Sequence, residues 1–109
     1  MDMRAAQQAE RISKLDDPAL RVNGAGTGQV SAEWMIPKAL WLKENEPDVY
    51  NSAETICEYQ DYLNWYLTGR MCASMNNVSI RWHYDSVRGW PTSLVTKLGI
   101  PDIVDKWVL

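Results

Sequence analysis

Apolar side chains recur at three- and four-residue spacing along most of this chain, the signature of amphipathic helices. Met3, Ala5, Ala6, Ala9, Ile12 and Leu15 form the first series, with Gln7, Gln8, Glu10 and Arg11 between them. The series predicts a helix over residues 3–15 that stops near Asp16, Asp17 and Pro18. Proline cannot continue a helix and keeps its predecessor out of the helical region. Met35, Ile36, Ala39, Leu40 and Leu42, with Trp41 beside them, predict a second helix. Ser31 is its candidate cap, Pro37 falls in its first turn, and Asn45 and Pro47 close it. A short helical turn follows over 48–52. Tyr59, Tyr62, Leu63, Tyr66 and Leu67 share one face of a helix over 59–68, with Gly69 as its stop. That stripe reads as core packing rather than a platform for sugar stacking. Pro91 starts a helix carrying Leu94, Val95 and Leu98, closed by Gly99, and Pro101 opens a last short one toward Trp107.

The period drops to two over residues 78–84. Val78, Ile80, Trp82 and Tyr84 alternate with Ser79, Arg81 and His83, which predicts a half-buried strand. Thr55, Ile56 and Cys57 read as a second, brief strand. One convincing strand cannot satisfy its own backbone groups. The pattern therefore predicts sheet partners elsewhere, on another chain or on further sequence.

Composition narrows the classes. The 109 residues allow one domain or part of one. A net charge of -3 argues against nucleic-acid binding through bulk charge. No apolar run approaches the roughly 20 residues that cross a bilayer, and the polar start carries no secretory pattern. A cytoplasmic protein is the expectation. Six Trp and five Tyr with no Phe mean that core bulk carries polar tips, each needing a partner when buried.

Candidate chemistry is sparse. Gly24, Gly26 and Gly28 lack the preceding strand and the spacing of a dinucleotide loop, and no Gly-Lys-Ser/Thr follows. They read as a flexible connector. His83, the single histidine, reads as a surface residue, and Cys57 and Cys72 as small buried ones. Trp34 beside the glycine loop is suited to close over a sugar face, with Glu33 accepting hydrogen bonds from hydroxyls. The plainer alternative, favoured by spacing alone, is that Trp34 staples the loop to the next helix.

Several segments then resemble one family in order. Pro37-Lys38 through Trp41-Leu42-Lys43-Glu44-Asn45 to Pro47 resembles the P-K-x-x-W-L-K-E-N-x-P segment of the FGGY carbohydrate kinases. The opening Met1-Asp2-Met3-Arg4-Ala5 is similar to their W-M-D-x-R-A motif without its tryptophan. Asp61 to Gly69 resembles their D-x-L-x-W-x-L-T-G helix. Arg81-Trp82-His83-Tyr84 followed by Gly89-Trp90-Pro91 is similar to the next strand and turn of the pentulose-kinase branch. Ala39 departs from the bulkier apolar residue usual there.

The resemblance implies an α/β fold, part of an actin-like, ribonuclease-H-like ATPase lobe, mostly helical here with a few short strands. It implies ATP and Mg²⁺ in the intact family, a sugar substrate, and no nucleic-acid or membrane partner. It leaves room for a homodimer of the intact enzyme. It places Glu33 where the family touches the acceptor sugar, Trp34 beside it, and Asp2 and Arg4 in the motif after the sugar-contacting tryptophan. No catalytic residue and no metal ligand is assigned. The family's phosphate-holding first strands precede the matched region, and its catalytic aspartate and second lobe follow. Residues 1–109 thus read as an internal slice of the first lobe, inactive alone, whose remaining partner is the rest of the kinase. Two alternatives stay open: a non-catalytic truncated relative or partial gene model, and an independent helical domain.

Overall fold

Helix α1 (Ala6–Ser13) lays Ala9 and Ile12 inward and turns Glu10 and Arg11 outward, as its spacing requires. The protein is described here by a computed structural model covering residues 3–21 and 28–107. The Gly24 and Gly26 part of the predicted connector lies outside the described residues. A short 3₁₀ turn (Pro18–Arg21) buries Leu20. Next come α2 (Met35–Asn45), α3 (Pro47–Ser52), α4 (Tyr59–Thr68), α5 (Met75–Arg81), α6 (Thr92–Lys97) and a 3₁₀ segment (Pro101–Lys106).

Helix α1 ends before Asp16, with the Lys14 N–H closing on the Arg11 carbonyl and the Leu15 N–H on the Ile12 carbonyl. The Ser13 hydroxyl donates to the Ala9 carbonyl and accepts the Val30 N–H at 2.9 Å, so it ties the end of α1 to the approach to α2. Pro37 sits in the first turn of α2, where a missing N–H is harmless. Ser31 does not cap α2, which starts at Met35 after Trp34. Its hydroxyl instead accepts the Glu33 N–H at 3.2 Å.

The core joins Ile12, Leu20, Ile36, Ala39, Leu40, Val78, Trp82, Leu94, Val95, Ile100 and Ile103. A radius of gyration of 13.3 Å equals the roughly 13 Å expected for a folded chain of this size. Fully buried Tyr50 anchors α3, its ring facing the Lys43 and Lys106 ammonium groups, each 5.4 Å away. Burial, with the Asp102 carboxylate nearby, pushes its phenol up to about 12. Trp90 and Trp107 stack at 4.5 Å, and Tyr84 meets Trp90 edge-on at 5.1 Å. Much of the aromatic bulk is therefore satellite packing around that core.

The expected strands are absent among the described residues, which hold only an antiparallel bridge between Asp85 and Gly89. Residues 75–81 are helical. Val78 and Trp82 lie four apart, so they share a helix face as readily as a strand face, and both are buried. Ile80, the alternating position between them, is exposed. Thr55 to Cys57 forms no strand, and its backbone meets the rest of the fold where the Ile56 N–H donates to the Lys106 carbonyl at 2.9 Å. The unpaired-strand reason for expecting missing neighbours therefore falls.

Helix α4 has the predicted bounds, and Gly69 ends it in the left-handed conformation at φ 75°. Its stripe is not core, however: Tyr59, Tyr62, Leu63, Tyr66 and Leu67 are all exposed. The buried position is Asp61, which accepts the Ser74 N–H at 3.0 Å and so steadies the start of α5. The cysteines also differ from expectation, Cys57 being half-buried and Cys72 exposed, both as free thiols.

Candidate functional site

Glu33 and Trp34 occupy one tight turn leading into α2. The Trp34 N–H donates to the Ser31 carbonyl at 3.1 Å, and the Ser31 hydroxyl holds the Glu33 N–H. The end of α5 clamps this turn from the side. Arg81 Nη2 donates to the Glu33 carbonyl at 2.7 Å, while its Nε lies 2.8 Å from Oε1 of buried Glu58. The Trp34 indole meets the His83 ring edge-on, with centroids 5.4 Å apart. Glu33 and Trp34 are half-buried, so one face of the turn remains accessible.

Arg4 stands elsewhere along α2. Its guanidinium lies 4.9 Å from the Trp41 ring centre, beside a cavity of about 190 Å³ that Lys38 and Leu42 also line. Trp41 is seven residues beyond Trp34, about 10 Å along the helix axis. The structure thus brings Glu33 and Trp34 together and places Arg4 against a different turn of the same helix. Asp2 lies outside the described residues.

His83 is not a surface residue. It is 1% exposed and holds a left-handed φ of 58°, which a non-glycine residue adopts only under local compulsion. Trp82 and Tyr84 both donate their N–H to the Val78 carbonyl, and that double closure fixes the bend. His83 Nδ1 lies 3.2 Å from the Ala19 carbonyl, which can only accept, so Nδ1 carries the proton. Burial lowers its pKa, against the Ala19 bond and the Asp17 charge, and the ring stays neutral.

Asp17 lies across from it, buried. Its carboxylate accepts the Ala19 N–H and the Ser93 hydroxyl, each at 2.9 Å, and pairs with Lys97 at 3.1 Å. Together with Asp85, Arg88 and Trp90, these two residues line a cavity of about 200 Å³. The Asp17-Pro18 step was a readable turn signal. His83 was hidden by the strand assignment.

The Ser93 hydroxyl shares the Asp17 carboxylate with the Ala19 N–H and Lys97, and that carboxylate is held low. Burial, then the Asp61 and Glu58 charges, push the Cys57 thiol up and keep it protonated. Among the described residues, no three His, Cys, Asp or Glu side chains are placed to hold a metal ion. No helix among them is long and apolar enough to cross a membrane. The arrangement offers binding chemistry: a carboxylate and an indole in one turn, and a polar cavity nearby.

Comparison with known proteins points the same way. The chain is 35% identical over 106 residues to a zebrafish (Danio rerio) FGGY carbohydrate kinase domain-containing protein, covering 96% of this chain and 19% of that one. It is 29% identical over 102 residues to an autoinducer-2 kinase of Salmonella typhimurium, covering 92% and 19%. It is 27% identical over 92 residues to a ribulokinase of Bacillus licheniformis, covering 81% and 16%. The chain therefore spans about a fifth of the length of these relatives. Residues 1–105 match the N-terminal domain of the FGGY family of carbohydrate kinases, and to that family the chain belongs.

Proposed function

We propose that residues 1–109 form part of the N-terminal domain of a cytoplasmic sugar kinase with an actin-like α/β fold, and that Glu33 and Trp34 face the acceptor sugar. In the longer polypeptide, the γ-phosphoryl group of ATP passes to a hydroxyl of a pentulose such as ribulose or xylulose. The observation that carries this is the family match across residues 1–105, with a ribulokinase among the relatives.

The turn geometry fits the role. The Arg81 bond and the Ser31 turn fix the backbone of Glu33, so no backbone freedom is lost there when its carboxylate meets sugar hydroxyls. Trp34 offers a rigid apolar face, locked against His83. Arg4 and, two residues before it in sequence, Asp2 supply further polar contacts from the neighbouring motif. None of these acts as the base. On the family resemblance, the ATP cradle, the Mg²⁺ site and the base lie in the rest of the kinase.

Phosphorylation of D-ribulose, L-ribulose and D-xylulose tests the proposal. A polypeptide of the relatives' length carrying this segment is expected to consume ATP with at least one of them. Glu33→Ala should raise KM by about tenfold and leave kcat nearly unchanged, since it removes binding made equally in ground and transition states. The 109-residue chain alone should stay at background. Turnover of none of the three, or a KM moved by neither Glu33→Ala nor Trp34→Ala, overturns it.

A further inference from the structure

We propose that His83 is a positioning residue, whose ring sets the angle at which Trp34 meets the acceptor sugar. This rests on the reading that Glu33 and Trp34 face that sugar. Backbone bonds fix where Trp34 begins: its N–H donates to the Ser31 carbonyl, and its own carbonyl accepts the Lys38 N–H at 3.4 Å. They do not fix the side-chain torsions that aim the indole. The ring that meets the indole is that of His83, edge-on at 5.4 Å with the two planes 72° apart. Edge-to-face contact has a preferred geometry, so it holds a direction as well as a place.

The residue type at position 83 carries the argument. The backbone dictates the bend. Trp82 and Tyr84 close on the Val78 carbonyl at 3.2 and 3.0 Å, and the residue between them takes φ 58°. Glycine would adopt that conformation without steric cost. Here an imidazole occupies it, 1% exposed, with Nδ1 held on the Ala19 carbonyl at 3.2 Å. Nε2 has no hydrogen-bond partner within the described protein, so a second hydrogen bond does not select this ring. Beyond the Nδ1 bond, the ring contact that His83 supplies is the one with Trp34. Strained backbone that a fold maintains gathers at ligand-binding sites, and this instance touches the proposed sugar turn.

Arg81, two residues earlier, holds the Glu33 carbonyl from the same side at 2.7 Å. One anchored bend thus fixes the backbone of Glu33 and the ring of Trp34 together. An indole aimed in advance loses less freedom when a sugar binds, so the effect belongs to affinity rather than to the chemical step.

Two substitutions divide the functions of the residue. His83→Asn suits the left-handed backbone and keeps a side-chain N–H two bonds beyond Cβ for the Ala19 carbonyl, but it removes the ring. His83→Phe keeps a ring edge and removes the donor. In a polypeptide of the relatives' length, acting on whichever of the three pentuloses is its substrate, His83→Asn should raise KM by about fivefold with kcat nearly unchanged. His83→Phe should recover most of that loss. Trp34→Ala combined with His83→Asn should show the KM of Trp34→Ala alone, because the histidine acts through the indole. In the 109-residue chain, the heteronuclear Overhauser effect of the Trp34 indole N–H should fall in His83→Asn, with that of Trp41 unchanged as an internal control. Losses that add to those of Trp34→Ala, no recovery by His83→Phe, or a Trp34 indole as rigid in His83→Asn as before overturns the proposal. A KM unmoved by Trp34→Ala overturns the substrate reading itself, and this proposal with it.

Discussion

At the scale of single residues, His83 and Asp17 set how the fold responds to acid. Burial depresses the His83 pKa, and the Ala19 carbonyl and Asp17 charge do not offset it. An unfolded histidine titrates near pH 6.5, so below about that pH the unfolded chain takes up a proton that the folded chain refuses. The His83 contribution is complete above about pH 6.5 and is lost as pH falls toward the folded value. For Asp17, burial acts to raise the pKa, but the Ala19 N–H, Ser93 and Lys97 outweigh it and hold the carboxyl low. Its contribution persists above about pH 3.9 and fades only in stronger acid. The midpoint of urea unfolding should therefore drop between about pH 7 and pH 5, and His83→Phe should flatten that drop. An equally steep drop in the variant would show that other groups carry it.

At the scale of elements, α5 separates two readings of one sequence. Val78 and Trp82 are buried while Ile80 is exposed, an arrangement a strand with one inward face forbids. Val78→Ala should destabilise by about 1–3 kcal/mol, whereas Ile80→Ala should stay within about 0.5 kcal/mol. Equal losses at both positions would restore the strand. The helices were legible wherever punctuation agreed with periodicity: Pro37, Pro47, Gly69 and Gly99 stand at or near the boundaries observed. Residues 78–84 misled because positions four apart satisfy both the period of two and the period of 3.6. The α4 stripe misled differently. Periodicity finds an apolar face but not its neighbour, and here buried Asp61, bonded to the Ser74 N–H, lies off that face. The candidate site divided along the same line. The Glu33–Trp34 turn was legible from the family motif, while the His83 cavity depends on contacts between residues 64 positions apart, as with His83 and Ala19.

At the scale of the whole molecule, the 109 residues close a core and still leave one helix facing outward. Tyr59, Tyr66 and Leu67 are 75%, 71% and 72% exposed on a single face of α4, and Met75 and Ile80 of α5 are exposed as well. Single exposed apolar residues need no explanation, but several on one helix face mark a surface that another polypeptide covers. The relatives are about five times longer than this chain, and on the proposed reading the rest of such a kinase polypeptide is the expected cover. Oxidative labelling of tyrosines tests this with an internal reference, because Tyr50 is fully buried within the chain itself. Tyr59 and Tyr66 should be modified readily in the 109-residue chain and be protected in a polypeptide of the relatives' length, with Tyr50 protected in both. Protection should extend to Tyr62, which shares the face and leans on Trp65 with centroids 5.9 Å apart. If Tyr59 and Tyr66 react equally in both, α4 faces solvent in the longer protein too, and its aromatic stripe must serve a partner outside the kinase polypeptide.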